Sequence, residues 1–105
     1  TRVDCSHLNL VRVPKNLPVN ITQLDLSYNS ITILYNGDFK HLNRLQILYL
    51  GENPLTAIQS SAFEGLLSLQ SLLMIGHKLN YTADALPDDV FEPLRSLVTL
   101  AIRSD

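Results

Sequence analysis

The chain has 105 residues, enough for about one domain with a modest core, and its 46% hydrophobic and 17% charged content excludes a disordered chain. Its net charge is −2 and its Lys and Arg residues are scattered along the sequence, which predicts no basic face for nucleic acid in this segment. No apolar run approaches the ~18 residues of a membrane helix, and the start at TRVDC without an initiator Met predicts a fragment of a longer protein.

Residues 1–20 are predicted to cap the N-terminal end of a repeat array, because they do not continue the period that begins at residue 21. Four apolar residues in this stretch have a spacing suited to packing on the first coil: Leu8, Leu10, Val13 and Leu17. Pro14 and Pro18 lack a backbone N–H, so we expect them to limit further strand pairing at this edge.

Two segments of 24 residues follow, and they match each other position by position. Repeat 1, residues 21–44, reads ITQLDLSYNSITILYNGDFKHLNR, and repeat 2, residues 45–68, reads LQILYLGENPLTAIQSSAFEGLLS. The matched pairs are Ile21/Leu45, Leu24/Leu48, Leu26/Leu50, Asn29/Asn53, Ile31/Leu55, Leu34/Ile58, Phe39/Phe63 and Leu42/Leu66. Such a repeat predicts a solenoid, in which each coil buries its apolar side against its neighbours.

Repeat 3 is predicted at residues 69–96 and is enlarged to 28 residues. Its extra residues fall in NYTADALPDDV, which we expect to bulge from the convex or lateral side as a polar loop before Phe91 and Leu94 restore the pattern. Residues 97–105, LVTLAIRSD, start a fourth repeat. The prediction is therefore a cap followed by about three and a half repeats.

Each recurring position has a physical role in such a coil. The strand alternates its side chains, so Leu24 and Leu26 point into the core while their neighbours face outward, and stacked strands form a parallel sheet. Phe39 and Phe63 are expected to stack as an aromatic column. A polar ladder that satisfies the turn backbone inside the stack is predicted at Asn29, Asn53, His77 and Asp105.

The repeat has the leucine-rich repeat pattern L-x-x-L-x-L-x-x-N-x-L, continued by a second half with one Phe. The stretch DCSHLNLVRVPKNLPVNITQLDLSYNSI resembles the cap and first repeat of extracellular leucine-rich repeat proteins, most closely those of Toll-like receptors. Its shared elements are the Asp4-Cys5-Ser6 start, LVRVP, the LP of residues 17–18, and NIT before LDLSYN. The resemblance implies an α/β leucine-rich repeat solenoid with the parallel sheet on its concave face.

The resemblance also implies an ectodomain of innate immunity. Such a protein binds a protein or pathogen-derived ligand, microbial or danger-associated, and signals through a receptor homo- or heterodimer. It faces the extracellular space or the endosomal lumen, and its membrane anchor would come from regions C-terminal to this chain. The sequence has no phosphate-binding glycine loop, nucleophile elbow or paired carboxylates on a common face, so we expect no enzyme and no cofactor.

Cys5 is the one cysteine of the chain, and the residues alone leave its state open: a buried free thiol, an intermolecular bond, or a bond to a partner upstream. The family's cap often holds a disulfide, which implies that Cys5 pairs with a cysteine that precedes Thr1. Two triplets, Asn20-Ile21-Thr22 and Asn80-Tyr81-Thr82, predict N-glycans at Asn20 and Asn80 if the protein enters the secretory pathway.

A solenoid usually binds its partners on the concave sheet, whose outward residues follow from the strand alternation. The candidate binding surface is an apolar patch with one flanking cation: Ile47, Tyr49, Leu73, Ile75 and Ala101, with Arg103 beside them. The alternative is that a glycan or a neighbouring domain covers this patch, or that it has no partner.

His77 has two interpretations. A neutral imidazole can replace the ladder asparagine as a hydrogen-bonding group, or a histidine that titrates near physiological acidity can make the coil acid-sensitive, which matters for an endosomal receptor. No metal site is predicted, because Cys5 and His7 give two ligands only and Asp84, Asp88 and Asp89 lack a calcium-loop pattern.

The alternative to an innate immune receptor is another secreted leucine-rich repeat protein: a matrix proteoglycan core, an adhesion protein or a variable lymphocyte receptor. The sequence that follows Asp105 would separate these classes. Many further repeats, a membrane span and a signalling domain indicate a receptor, whereas few repeats and a terminal cap indicate the others.

Overall fold

The computed structural model describes residues 1–79 and 85–104, with Ser104 described by its backbone alone, and in it the chain winds into a solenoid of stacked coils. The strands of these residues are β1 Arg2–Asp4, β2 Gln23–Asp25, β3 Ile33–Leu34, β4 Ile47–Tyr49, β5 Ala57–Ile58, β6 Ser71–His77 and β7 Thr99–Ser104. A five-stranded parallel sheet has the order β1-β2-β4-β6-β7, and β3 pairs with β5 in a smaller parallel sheet. The predicted solenoid with a concave parallel sheet is confirmed.

Each coil contributes one strand to the large sheet, in a register set by the repeat length. Gln23 pairs with Ile47, Ile47 with Ser71 and Ser71 with Thr99, so successive strands begin 24, 24 and 28 residues apart. Side chains alternate along a strand, so the residues that follow Gln23, Ile47 and Ser71 point inward, and all three are buried in the core. Strands β6 and β7 stay in register from Ser71/Thr99 to Ile75/Arg103, and the register shifts between Ile75 and His77.

The N-terminal stretch contributes more to the sheet than its sequence predicts. Strand β1 pairs in parallel with β2, and the Cys5 N–H donates to the Asp25 carbonyl at 2.8 Å. Val13 is buried, as expected of a residue that packs on the first coil. The prediction was wrong for Leu8, which is 58% exposed because it lies between His7 and Asn9, two residues whose positive φ turns the chain outward.

The core is a column of aliphatic and aromatic side chains enclosed by the coils. The rings of Phe39 and Phe63 stack with centroids 6.2 Å apart, and those of Phe63 and Phe91 with centroids 5.8 Å apart. Phe39 and Phe63 are fully buried, whereas Phe91 is half-buried. The predicted aromatic column is confirmed and extends into the enlarged coil.

Turns fill the second half of each coil, and the described residues contain no helix, so the helices that α/β folds place opposite the sheet are absent from this part of the chain. The turn peptides find partners in the next coil instead of within a helix. The Asn36 N–H donates to Gln59 Oε1 at 2.8 Å, and the Ser61 N–H donates to Asn36 Oδ1 at 2.8 Å. Accordingly, no helix among the described residues is long and apolar enough to cross a membrane.

Candidate functional site

The outward residues of the concave sheet form rows that run across the strands. One row consists of Asp25, Tyr49, Leu73 and Ala101, which are Cα partners on adjacent strands. All four are half-buried. The predicted Tyr49 and Leu73 are therefore direct neighbours across β4 and β6, where same-face side chains of paired strands contact one another.

A hollow of about 240 Å³ lies beside this row. It is lined by Ser27, Tyr28, Tyr49, Gly51, Glu52, Leu73 and Ile75. Gly51 leaves its floor open because it has no side chain between the strands, and Ile75, which is 43% exposed, forms one wall. Together with the row, this hollow makes the concave face an apolar and aromatic surface with a depression at its centre.

A column of left-handed residues determines which side chains reach the hollow. Tyr28, Glu52 and Gly76 have φ of 57°, 54° and 87°, and each directly precedes the inward polar residue of its coil. His7, with φ of 57°, continues the column into the cap and stacks on Tyr28 with ring centroids 4.7 Å apart. A side chain in this conformation costs about 1 kcal/mol. Tyr28 and Glu52 adopt this conformation despite its cost, and both side chains therefore line the hollow.

Glu52 is the one acidic residue among those that line the hollow. A Cβ built at Gly76 would lie 2.8 Å from the Glu52 carboxyl carbon, so the glycine leaves the space that this side chain occupies. Glu52 forms no ion pair with any residue that the structure describes. Its exposed carboxylate can therefore bind a cationic or hydrogen-bond-donating group of a partner.

Arg2 closes the other side of Tyr49. Its Nη2 atom lies 3.2 Å from Asp25 Oδ2, and its guanidinium lies 5.6 Å from the centroid of the Tyr49 ring. Asp25 also accepts the Ser27 N–H at 2.9 Å. Tyr49 thus contacts the Arg2 guanidinium and also lines the hollow.

The remaining predicted surface residues lie at the border of the patch. Ile47 is half-buried in the row between Gln23 and Ser71. Arg103 is exposed and is the register partner of Ile75 on β7. The structure thus brings Tyr49, Leu73 and Ile75 together at the hollow, and the other three predicted residues lie around them: Ala101 beside Leu73, and Ile47 and Arg103 at the border.

The ladder asparagines are buried between the coils. The Asn29 amide Nδ2 donates to the Cys5 carbonyl at 2.9 Å, and its Oδ1 accepts the Leu8 and Leu10 N–H groups at 2.9 and 3.1 Å. One coil further on, the Asn53 Nδ2 donates to the Leu26 carbonyl at 2.8 Å, and its Oδ1 accepts the Ile31 N–H at 3.2 Å. These side chains support the sheet from inside and do not reach the concave surface.

His77 is also buried and its Nδ1 accepts the Leu79 N–H at 3.1 Å. Asp105, the predicted fourth member of the ladder, lies outside the described residues.

Asn20, the first predicted glycan site, does not line the hollow. Asn20 is exposed, as a glycan acceptor must be, and Asn80 lies outside the described residues. Cys5 is a half-buried free thiol, and burial raises its pKa above the usual 9.0. The part of the chain that the structure describes holds no group of three or more residues that could bind a metal ion.

The repeats and the fold agree with those of known proteins. The leucine-rich repeat family model matches residues 9–55. The crystal structure of human 5T4 (Wnt-activated inhibitory factor 1, trophoblast glycoprotein) matches with a TM-score of 0.87 and 31% identity, over 98% of this chain and 37% of that one. The chain is a leucine-rich repeat solenoid.

Relatives of this leucine-rich repeat solenoid include proteins of several kinds. Leucine-rich repeat-containing protein 3 of Danio rerio is 33% identical over 101 residues, 96% of this chain and 37% of the relative. Leucine-rich repeat-containing G-protein coupled receptor 5 of Homo sapiens is 42% identical over 80 residues, 76% of this chain and 9% of the receptor. Decorin of Coturnix japonica is 54% identical over 48 residues, 46% of this chain and 14% of decorin. The chain spans well under half of the length of each of these relatives. Their names do not single out Toll-like receptors.

Sequence reasoning missed Tyr28 and Glu52 as part of the surface. Strand alternation cannot find them, because their left-handed backbone ends the alternation one residue before the ladder. Gly76 was the available indication, since it occupies the same coil position and glycine favours positive φ. Tyr28 and Glu52 occupy the coil position of Gly76, so a positive φ predicted there would have identified both residues.

Proposed function

We propose that this chain is a binding module of an extracellular leucine-rich repeat receptor, and that its concave sheet binds a protein through the hollow beside Tyr49. The observation that carries the proposal is the apolar and aromatic surface of Tyr28, Tyr49, Leu73 and Ile75, which surrounds an open depression. Tyrosine is enriched at protein interfaces because its ring provides apolar contact area and its hydroxyl a hydrogen bond.

The hollow suits one anchoring side chain of a partner. Anchors that fill a central pocket contribute most of the binding energy of many interfaces. Here an aliphatic or aromatic group would pack on Tyr49 and Leu73, and a donor or cation beside it would bind the Glu52 carboxylate. The proposal is a binding function without catalysis.

The finer proposal is a receptor of innate immunity, which binds microbial or danger-associated ligands and signals as a dimer at the cell surface or in endosomes. It is supported by the cap motif around Cys5, which resembles Toll-like receptors, and by the similarity to a receptor ectodomain class among the relatives. The second candidate is a secreted adhesion or matrix protein, favoured by the 54% identity to decorin over 48 residues.

A photo-crosslinking amino acid at Leu73 tests the concave interface. Cells of the source tissue are incubated with the protein, and the crosslinked partner is identified by mass spectrometry. We expect one protein partner from position 73, loss of that product in a Tyr49→Asp background, and none from position 67, because Leu67 is 60% exposed but lies off the concave sheet. Equal products from both positions would refute the concave interface.

The identity of the partner separates the two finer candidates. Reporter cells that carry the full-length protein are exposed to bacterial lipopeptide, lipopolysaccharide and nucleic acid. A response that Tyr49→Asp abolishes and Leu67→Asp preserves supports the immune receptor. A crosslinked matrix protein without any reporter response supports the adhesion or matrix candidate.

A further inference from the structure

A groove runs along the side of the solenoid, where the cap meets the first repeat, away from the concave sheet. It consists of two adjoining hollows of about 580 and 520 Å³. Both are bordered by Val19, Lys40 and His41, so they form one continuous path on the surface. An elongated ligand could lie along this path, whereas a compact one would fill only half of it.

The groove concentrates positive charge in a chain that is acidic as a whole. Arg12, Lys15, Lys40 and Arg44 line it together with one carboxylate, Asp38, which gives a local charge of +3 with His41 neutral. Since the chain carries −2, its other residues carry −5. The cations are scattered in the sequence, but the fold brings residues 15, 40 and 44 to one surface.

The single carboxylate in the groove is already engaged. Asp38 accepts the Tyr35 N–H at 2.8 Å and lies 3.5 Å from the Arg12 guanidinium, which in turn lies 4.1 Å from the centroid of the Tyr35 ring. This pair therefore fixes the cap on the first repeat. Lys15, Lys40 and Arg44 are exposed and form no ion pair with the residues that the structure describes, so their charges are available to a ligand.

The rest of the lining indicates the chemistry of the ligand. Besides the predicted glycan acceptor Asn20, three exposed amides line the groove: Asn16, Asn36 and Asn43. Amides bind hydroxyl and sulfate oxygens. Of the apolar lining residues, Val19 is 60% exposed and Pro14 and Leu17 are half-buried, whereas Phe39 and Leu42 are buried. The groove therefore offers no free aromatic face for a nucleic-acid base within the described residues.

We propose that this groove binds a sulfated polysaccharide chain, whose sulfates contact Lys15, Lys40 and Arg44 and whose hydroxyls contact the asparagine amides. A linear polyanion matches the elongated path and the positive charge of the three unpaired cations that line it. This site is separate from the concave hollow, and it does not depend on the protein partner proposed there.

The predicted glycan at Asn20 lies at the edge of the second hollow, so it would share the entrance of the groove with the polysaccharide. The test therefore includes Asn20→Gln. Removal of a competing glycan should leave the affinity unchanged or raise it, and a loss of affinity in this variant would mean that the glycan, not the groove, provides the contact.

The probe is a heparin-derived oligosaccharide, and its Kd is measured by surface plasmon resonance at several salt concentrations. Lys40→Gln with Arg44→Gln is compared with Arg95→Gln with Arg103→Gln, which removes the same number of charges outside the groove. We expect the groove pair to weaken binding roughly tenfold and the control pair to change it less than twofold, because only the groove pair removes charges that contact the sulfates. Melting curves establish that both variants fold.

Several outcomes would overturn the proposal. Equal losses of affinity in the two variant pairs would mean that heparin binding depends only on the net charge of the protein. Equal binding of desulfated heparin would exclude sulfate recognition. Tighter binding to vesicles of equal phosphatidylserine and phosphatidylcholine, or to oligothymidylate, would assign the groove to a lipid surface or to single-stranded nucleic acid. Lys15→Gln is an independent test, because it removes a groove cation that the cap contributes. We expect it to weaken heparin binding less than the double replacement does.

Discussion

Asn53 donates its side-chain N–H to the backbone carbonyl of Leu26, one coil away, at 2.8 Å. The same amide donates to the Leu50 carbonyl of its own coil at 3.2 Å, and its Oδ1 accepts the Ile31 N–H. One buried side chain thus satisfies backbone groups of two successive coils. The repeat can turn its chain inside the core because this residue supplies both donors and an acceptor.

Replacing Asn53 with alanine should therefore cost about 3 kcal/mol, because it leaves several buried backbone groups without partners. The free energy of unfolding is measured by urea denaturation monitored by circular dichroism. Asn43→Ala is the matched control: Asn43 is exposed, and its replacement should change stability by less than about 0.5 kcal/mol. Similar losses for the two variants would show that the ladder contributes nothing specific.

The close approach of the first two coils gives a second prediction. Gly65 has φ of +95°, and a Cβ there would lie 2.7 Å from the Lys40 carbonyl carbon and closer still to its oxygen. Backbone cannot move aside as a flexible side chain can, so Gly65→Ala should destabilise the solenoid by about 3 kcal/mol or more.

Gly37→Ala is the control for backbone conformation alone. Gly37 also has a positive φ, +78°, but a Cβ there meets only the flexible Lys40 side chain at 3.7 Å. Its replacement should cost about 1 kcal/mol. The two variants are compared in one urea series, and an equal cost would mean that the left-handed conformation, and not the contact between coils, requires glycine at residue 65.

The sequence predicts the repeating part of this fold well. Matched pairs such as Leu24 and Leu48 recur at the repeat length, and one register then follows for the whole sheet. The sequence predicts the ends of the solenoid less well. The three residues of β1 are too few to show alternation, and they become a strand only because β2 offers them an unpaired edge.

The proposed binding surfaces also differ in how far the sequence predicts them. Tyr49 and Leu73 were accessible to sequence reasoning because they follow the strand alternation. Glu52 was not, because its left-handed φ depends on the packing of the coil and contradicts the local preference of a glutamate. Lys15 and Lys40 meet at one groove only after the cap folds onto the first repeat, so no local pattern relates them.

His77 gives a prediction on acidity. Its Nδ1 accepts the Leu79 N–H, and protonation would convert this acceptor into a donor that faces a donor. The stability of the wild-type protein relative to His77→Asn should therefore be lower at pH 5 than at pH 8, because protonation removes this buried hydrogen bond. His77→Asn keeps an acceptor at every pH in this range and should show a flatter curve. Superimposable curves would establish that His77 is a pH-independent substitute for the ladder asparagine.

Cys5 gives a prediction on alkaline pH and on reactivity. Burial, with a smaller effect from Asp4, raises the pKa of the folded thiol above 9.0. The folded state therefore holds its proton at a pH where the unfolded state releases it, so this contribution to stability is present below pH 9 and is lost as the pH rises through the folded pKa. Iodoacetamide, which reacts with thiolates, should accordingly modify the native protein several-fold more slowly than a peptide of residues 1–9 at pH 8.5.

Urea should abolish this difference, because unfolding exposes Cys5 to solvent. The Cys5→Ser variant serves as the blank for alkylation at other residues. Equal rates for the peptide and the native protein would contradict the protective effect of burial. In the full-length protein, a Cys5 that reacts only after reduction would establish the disulfide that the cap motif implies, whereas the same slow reaction before and after reduction would establish a free, half-buried thiol.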